Sequence, residues 1–164
     1  MIPELKPFDI ITTDGLWYYP HHHLIEWRQL DSASHVAIIA ESTGICYSAE
    51  LGGVKILNIF NEYKGREVQI HRYRNSIPDK KFYAWLGANS RAKYDFWGQW
   101  FLGFVLGLGI RKIADDPTRF TCSELAYWLF QDNDCKLTST NEVLPMPRLF
   151  RYHNDFELIY KGKL

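Results

Sequence analysis

The chain has 164 residues, 46% apolar and 16% aromatic. That is enough to bury a core in one domain and too few for two ordinary ones, so residues 1–164 are read as a single domain. Nineteen Lys and Arg balance nineteen Asp and Glu, which argues against a disordered chain and against nucleic acid as a partner. Cys46, Cys122 and Cys135 are the three cysteines. Their odd number and the lack of a Cys-x-x-Cys pair disfavour a disulfide framework and make a reducing compartment the default. Met1–Pro7 lacks a basic stretch followed by an apolar one, so no signal peptide is recognised and a cytoplasmic location is expected.

In chain order, Pro7–Thr13 is a β-rich run ending at the Asp14-Gly15 turn signal. A polar and aromatic loop, Leu16–Ser34, holds Trp17, Tyr18, Tyr19 and the triplet His21-His22-His23. His35–Ala40 reads as a buried strand, Ile45–Glu50 as a second, and Val54–Ile59, after Gly52-Gly53, as a third. Glu67–Arg74 alternates, with Val68, Ile70 and Arg72 on one face, and is also read as a strand. Ile77–Ser90 carries helical apolar spacing at Phe82, Trp85 and Leu86. Tyr94–Ile110 is strongly apolar but short of the roughly 20 residues of a membrane span, and it contains Asp95 and Gln99. A buried helix is the favoured reading; membrane contact through Leu102–Ile110 is the less favoured one. Cys122–Phe130 reads as an amphipathic helix, Leu144–Pro147 as a breaker and Phe156–Lys161 as a final strand. Strands, then helices, then a strand fit an α+β domain.

Two segments carry chemistry. Phe120–Phe130 puts Cys122 where a loop turns into a helix, and the partial positive charge of a helix N-terminus favours thiolate, the nucleophilic form. Ser34–Ile39 puts His35 at the mouth of an apolar strand, where it would serve as base and imidazolium partner. Glu124, in the first turn of the cysteine helix, reads as structural. Cys46 and Cys135 read as structural or incidental. His21-His22-His23, with Glu26 nearby, invites a metal reading, but adjacent histidines cannot all face one ion; a solvated loop is preferred. No metal and no organic cofactor are expected.

The motifs Phe8-Asp9-Ile10-Ile11, Ser34–Ile39, Ser48-Ala49-Glu50 with Gly53-Val54, Tyr94-Asp95 and Cys122-Ser123-Glu124-Leu125 follow one another in an order that resembles a known family. It is the YiiX-like, circularly permuted papain-fold hydrolases, relatives of NlpC-type cell-wall peptidases and of lecithin:retinol acyltransferase. The resemblance spans roughly residues 7–130. It implies a permuted papain-like (NlpC-type) α+β fold, with an antiparallel sheet packed against the cysteine-bearing helix. It implies Cys122 as nucleophile, His35 as general base and a third polar residue on the next strand. Ser48 and Glu50 share a face of that strand by alternation. The family pattern often has a Glu where Ser48 stands, but on chemistry Glu50 is the stronger candidate, because a carboxylate fixes the tautomer and stabilises imidazolium. Tyr94 resembles the family's tyrosine before the cysteine helix and, with the start of that helix at Cys122 and Ser123, is assigned to the oxyanion or substrate.

The expected activity is therefore a cysteine hydrolase working through a thioester on an amide or peptide-like bond, for instance in a peptidoglycan stem. One alternative is a lipid acyltransferase or thioesterase with the same Cys–His pair and an acyl-bearing substrate. Another is an inactive papain-like binding or virion protein. A bacterial or phage source fits the resemblance.

Overall fold

The structure is a computed structural model that describes residues 2–14, 31–95, 118–135, 137 and 145–164. The histidine triplet, the aromatic residues 17–19, Trp97, Trp100, Phe101 and the Leu102–Ile110 segment lie outside those residues.

Six segments anticipated as strands form the main sheet. They are β1 (Ile10–Asp14), β2 (Ala33–Ile39), β3 (Ile45–Glu50), β4 (Gly53–Asn58), β5 (Glu67–Tyr73) and β8 (Phe156–Lys163). Their order is β4-β3-β2-β1-β5-β8, and every neighbouring pair is antiparallel. A separate parallel pair joins β6 (Lys93–Tyr94) to β7 (Arg119–Phe120). The helices are α1 (Ile59–Glu62), α2 (Asp79–Asn89), α3 (Cys122–Gln131) and α4 (Arg148–Tyr152). The result is an α+β fold. Among the described residues no helix is long and apolar enough to cross a membrane.

Three boundaries depart from the sequence expectation. β1 begins at Ile10 rather than Pro7, because Phe8 takes a left-handed φ of 70°. That conformation costs a non-glycine residue on the order of 1–2 kcal/mol. It is held by burying the ring against Phe82 and Tyr83, at 4.6 and 5.0 Å, and by the Phe8 N–H donating to the Ile39 carbonyl at 2.6 Å. β4 stops at Asn58, whose side chain accepts from the Phe60 N–H and starts the single turn α1. α4, just past the Leu144–Pro147 breaker, was not anticipated: five residues are too few to show a period.

Because strand side chains alternate, both faces of the sheet carry apolar rows, and each is covered. Val36, Ile38 and Ala49 face Leu125, Ala126, Leu129 and Phe130 of α3, with Phe82 and Leu86 of α2 completing that core. Ala37, Ile39, Cys46, Val68 and Ile70 form the opposite core with Ile59 and Tyr63, contributed by α1 and its C-cap. Arg72, at the end of the Val68–Ile70 face, clasps the buried carboxylate of Asp9 through two hydrogen bonds of 2.8 Å.

A second buried cation ties the C-terminal part of the chain to β1. Arg151 of α4 is only 3% exposed and donates to Thr12 and Asp14 of β1 and to Asp31 and Ser32 just before β2. It thus pins both ends of the 15–30 segment beside the strand that carries His35. Next to it, burial and then the Arg151 charge push the His71 imidazole down to about 4. Replacing Arg151 by Met keeps the stem and removes the ion pairs to Asp14 and Asp31 together with the hydrogen bonds to Thr12 and Ser32. The expected loss is about 3–5 kcal/mol of unfolding free energy, measurable by urea denaturation.

Candidate active site

β2 and β3 pair with Ala37 opposite Ser48 and Ile39 opposite Cys46. Continuing that register sets His35 across from Glu50, with Ser48 diagonal to it on the same face. The side chains meet as the backbone predicts. His35 Nε2 lies 2.7 Å from Ser48 Oγ and 3.3 Å from Glu50 Oε1, and Ser48 Oγ donates to Glu50 Oε1 at 2.9 Å. A serine hydroxyl has one proton, and here Glu50 receives it. Ser48 must therefore accept from His35, which places a proton on Nε2 and leaves Nδ1 for another partner. The sequence offered Glu50 and Ser48 as alternatives; the structure brings both to His35, with the serine bridging to the carboxylate.

The other partner of His35 comes from α3. Thr121 caps this helix by accepting from the Glu124 N–H at 3.3 Å, while the Glu124 carboxylate accepts from the Thr121 N–H at 2.8 Å. This reciprocal box fixes the first turn and gives Glu124 its structural role. Cys122, 6% exposed, is the first helical residue. At the start of a helix the N–H groups of Cys122 and Ser123 have no intrahelical acceptor, and they add to the positive end of the dipole. The Ser123 hydroxyl is turned elsewhere: it donates to the Pro145 carbonyl at 2.7 Å and anchors the segment before α4. Any contribution of Ser123 to an oxyanion therefore comes from its backbone.

The electrostatics join these groups. Burial alone would lower the His35 pKa, but the charge and hydrogen bonding of Cys122, followed by those of Glu50, raise it from 6.5 to about 10. Burial likewise opposes ionisation of Glu50. The hydrogen bond and charge of His35, then Ser48 and Lys55, overcome it and hold the carboxyl at about 2 instead of 4.5. Near neutral pH His35 is thus an imidazolium beside a carboxylate. Tyr94 of β6 is half-buried against the α3 core. Burial, then the negative charges of Cys122 and Glu50, push its phenol far above the usual range, so it stays a proton donor next to the thiol.

The remaining cysteines differ in setting. Cys46 lies fully buried in the opposite core, and burial drives its thiol up to about 12. Cys135 is buried too, and burial followed by the Asp134 charge raises it. All three thiols are free.

No protein-family model and no curated protein matches the chain. Among solved structures, the metalloprotein YiiX from Escherichia coli O157:H7, assigned to domain of unknown function 1105, matches with a TM-score of 0.70 at 14% identity. The match covers 98% of this chain and 99% of that one, so the two share a fold. The metal in that protein's description prompts a check of this chain's own side chains. Among the described residues no three His, Cys, Asp or Glu are grouped so as to hold a metal ion. These residues do not fit a metal, and no step below uses one.

The pKa of His35 makes a testable demand on stability. Its folded value lies above the ordinary 6.5, so the stability it contributes is complete below about 6.5 and is lost as pH rises through about 10. Thermal unfolding followed across that window should show an alkaline decline. Cys122→Ala, which removes the leading cause of the raised pKa, should flatten it.

Proposed function

We propose that this chain is a cysteine hydrolase with a circularly permuted papain-like fold, acting by acyl transfer on an amide or peptide-like bond. The single observation that carries the reading is the His35–Ser48–Glu50 relay, with contacts of 2.7 and 2.9 Å, on a fold that sets Cys122 at the start of a capped helix. The strand bearing the histidine precedes the helix bearing the cysteine, as the permuted order requires.

Each group has a role in the reaction. The Cys122 thiolate attacks the carbonyl carbon, and the negative charge moves to the carbonyl oxygen. The free N–H groups at the start of α3 and the Tyr94 hydroxyl are suited to that oxyanion. As the tetrahedral adduct collapses, the His35 imidazolium protonates the departing amine, leaving an acyl-thioester on Cys122 and a neutral imidazole. His35 then takes a proton from water, which attacks the thioester. The carboxylic acid leaves and the thiolate–imidazolium pair is restored. Ser48 and Glu50 keep the ring oriented and stabilise its charge throughout. A peptidoglycan stem peptide is the substrate class the sequence resemblance favours.

Alkylation by iodoacetamide tests the pair without knowledge of the substrate. From about pH 4 to about pH 9, with each cysteine resolved by mass spectrometry, Cys122 is expected to react first. It should remain reactive near pH 6, where an ordinary thiol of pKa about 8.5 is almost wholly protonated. Cys46 should be inert at every pH tested, given its burial and a thiol pushed up to about 12. His35→Ala should slow Cys122 alkylation near pH 6 by about tenfold or more. If Cys122 reacts like an ordinary thiol in both proteins, the hydrolase reading is wrong and a binding protein of this fold replaces it.

A further inference from the structure

Tyr63 has no part in the proposed reaction. It is the C-cap of α1 and is 1% exposed, with its ring centroid 6.3 Å from that of His35. The ring belongs to the core formed by Ala37, Ile39 and Cys46, the same face of β2 and β3 that carries His35, Ser48 and Glu50. Its hydroxyl is buried with no hydrogen-bond partner in good geometry. A buried hydroxyl left unpaired costs about 1–3 kcal/mol, so its retention here calls for a reason.

Ser48 supplies one. Around a serine oxygen there are three directions besides the Cβ bond: one proton and two lone pairs. At Ser48 the proton goes to Glu50 and one lone pair receives His35 Nε2–H, so the second lone pair is open. The orphan donor and the open acceptor lie in the same buried space. We propose that Tyr63 is a positioning residue for the site, donating its hydroxyl proton to the second lone pair of Ser48 and so locking the serine between His35 and Glu50. With all three directions filled, Ser48 cannot rotate to donate to Nε2, and the neutral ring is confined to the tautomer whose Nδ1 faces the thiol.

The surroundings keep the phenol protonated. Burial, then the negative charges of Cys46 and Glu50, push the phenol well above its ordinary range, so it keeps its proton. Ser48 is close enough to act in the opposite sense. The Arg66 guanidinium covers the ring at 5.4 Å and is itself tied to Thr13 and the Asp14 carbonyl of β1. Arg66 thus fixes the ring in place beside β1.

The catalytic meaning of this role rests on the hydrolase reading, but its test does not. In the Cys122→Ala background the thiol is gone while the relay remains. The His35 ring can then be titrated by 15N NMR, which reads both pKa and tautomer. Adding Tyr63→Phe is expected to lower the His35 pKa by about half a unit to one unit and to reduce the Nε2–H tautomer, since the lost hydrogen bond is of that size. With Ser48→Ala also present, Tyr63→Phe should have no further effect on the ring. Thermal unfolding gives a second reading. Loss of a bonded hydroxyl lowers the melting temperature, whereas loss of an orphan leaves it unchanged or raises it. An unaltered His35 titration together with an unaltered or raised melting temperature would overturn the assignment. If Tyr63→Phe shifts His35 while Cys122 in the wild type alkylates like an ordinary thiol, the positioning role stands and the hydrolase reading falls.

Discussion

The candidate site depends on the register of β2 against β3. Ala37 opposite Ser48 is the pair that brings His35 across from Glu50 and sets the Ser48 hydroxyl between them. A slip of one residue would carry Ser48 and Glu50 away from His35 and exchange the two faces of β3. Register is specified here because both faces are apolar and covered: Val36, Ile38 and Ala49 are needed under α3, and Ala37, Ile39 and Cys46 are needed against Ile59 and Tyr63. Packing on two sides thereby determines the placement of a polar relay that packing alone would not favour.

That relay is electrostatically expensive in isolation. A cationic histidine and a carboxylate are taken out of water, and desolvation opposes the charged form of each. At His35 the charge and hydrogen bonding of Cys122, then of Glu50, outweigh burial; at Glu50 the contacts of 3.3 Å with His35 and 2.9 Å with Ser48 do so. The opposed directions of the two shifts, His35 upward to about 10 and Glu50 downward to about 2, are what a paired cation and anion require. Buried pairs of this kind add little net stability. Their presence here fits the chemistry proposed for Cys122.

The scaffold divides its labour accordingly. α3 presents the thiol at a capped, positively polarised end, and the Thr121–Glu124 box keeps that end from fraying. Arg151 fastens α4 to β1 and to the approach to β2, so the histidine strand is held at its start as well as through the sheet. YiiX shares the fold at 14% identity. At that distance little but the spacing of apolar rows and a few polar anchors needs to be common to both chains, which is why likeness is visible in the fold where no family model matches.

Much of this was legible in the residues. A continuous apolar run marked β2 as a buried strand, and alternation marked β5, because a half-buried strand repeats every second residue. The amphipathic run Cys122–Phe130 marked α3, and the period of two put Ser48 and Glu50 on one face. The sequence by itself determined the strands, the capped helix and the chemical types at the site, since those follow from local period and local hydrogen bonding. Tertiary structure alone decided that Ser48 bridges His35 to Glu50 rather than competing with it, that the Ser123 hydroxyl turns to Pro145, and that Tyr63 lies beneath the relay. It also decided the parallel pairing of β6 with β7 and the burial of Arg151 against residues more than a hundred positions earlier in the chain. These are contacts between segments far apart in sequence. Their geometry is set by which apolar faces find one another, and no local pattern records that.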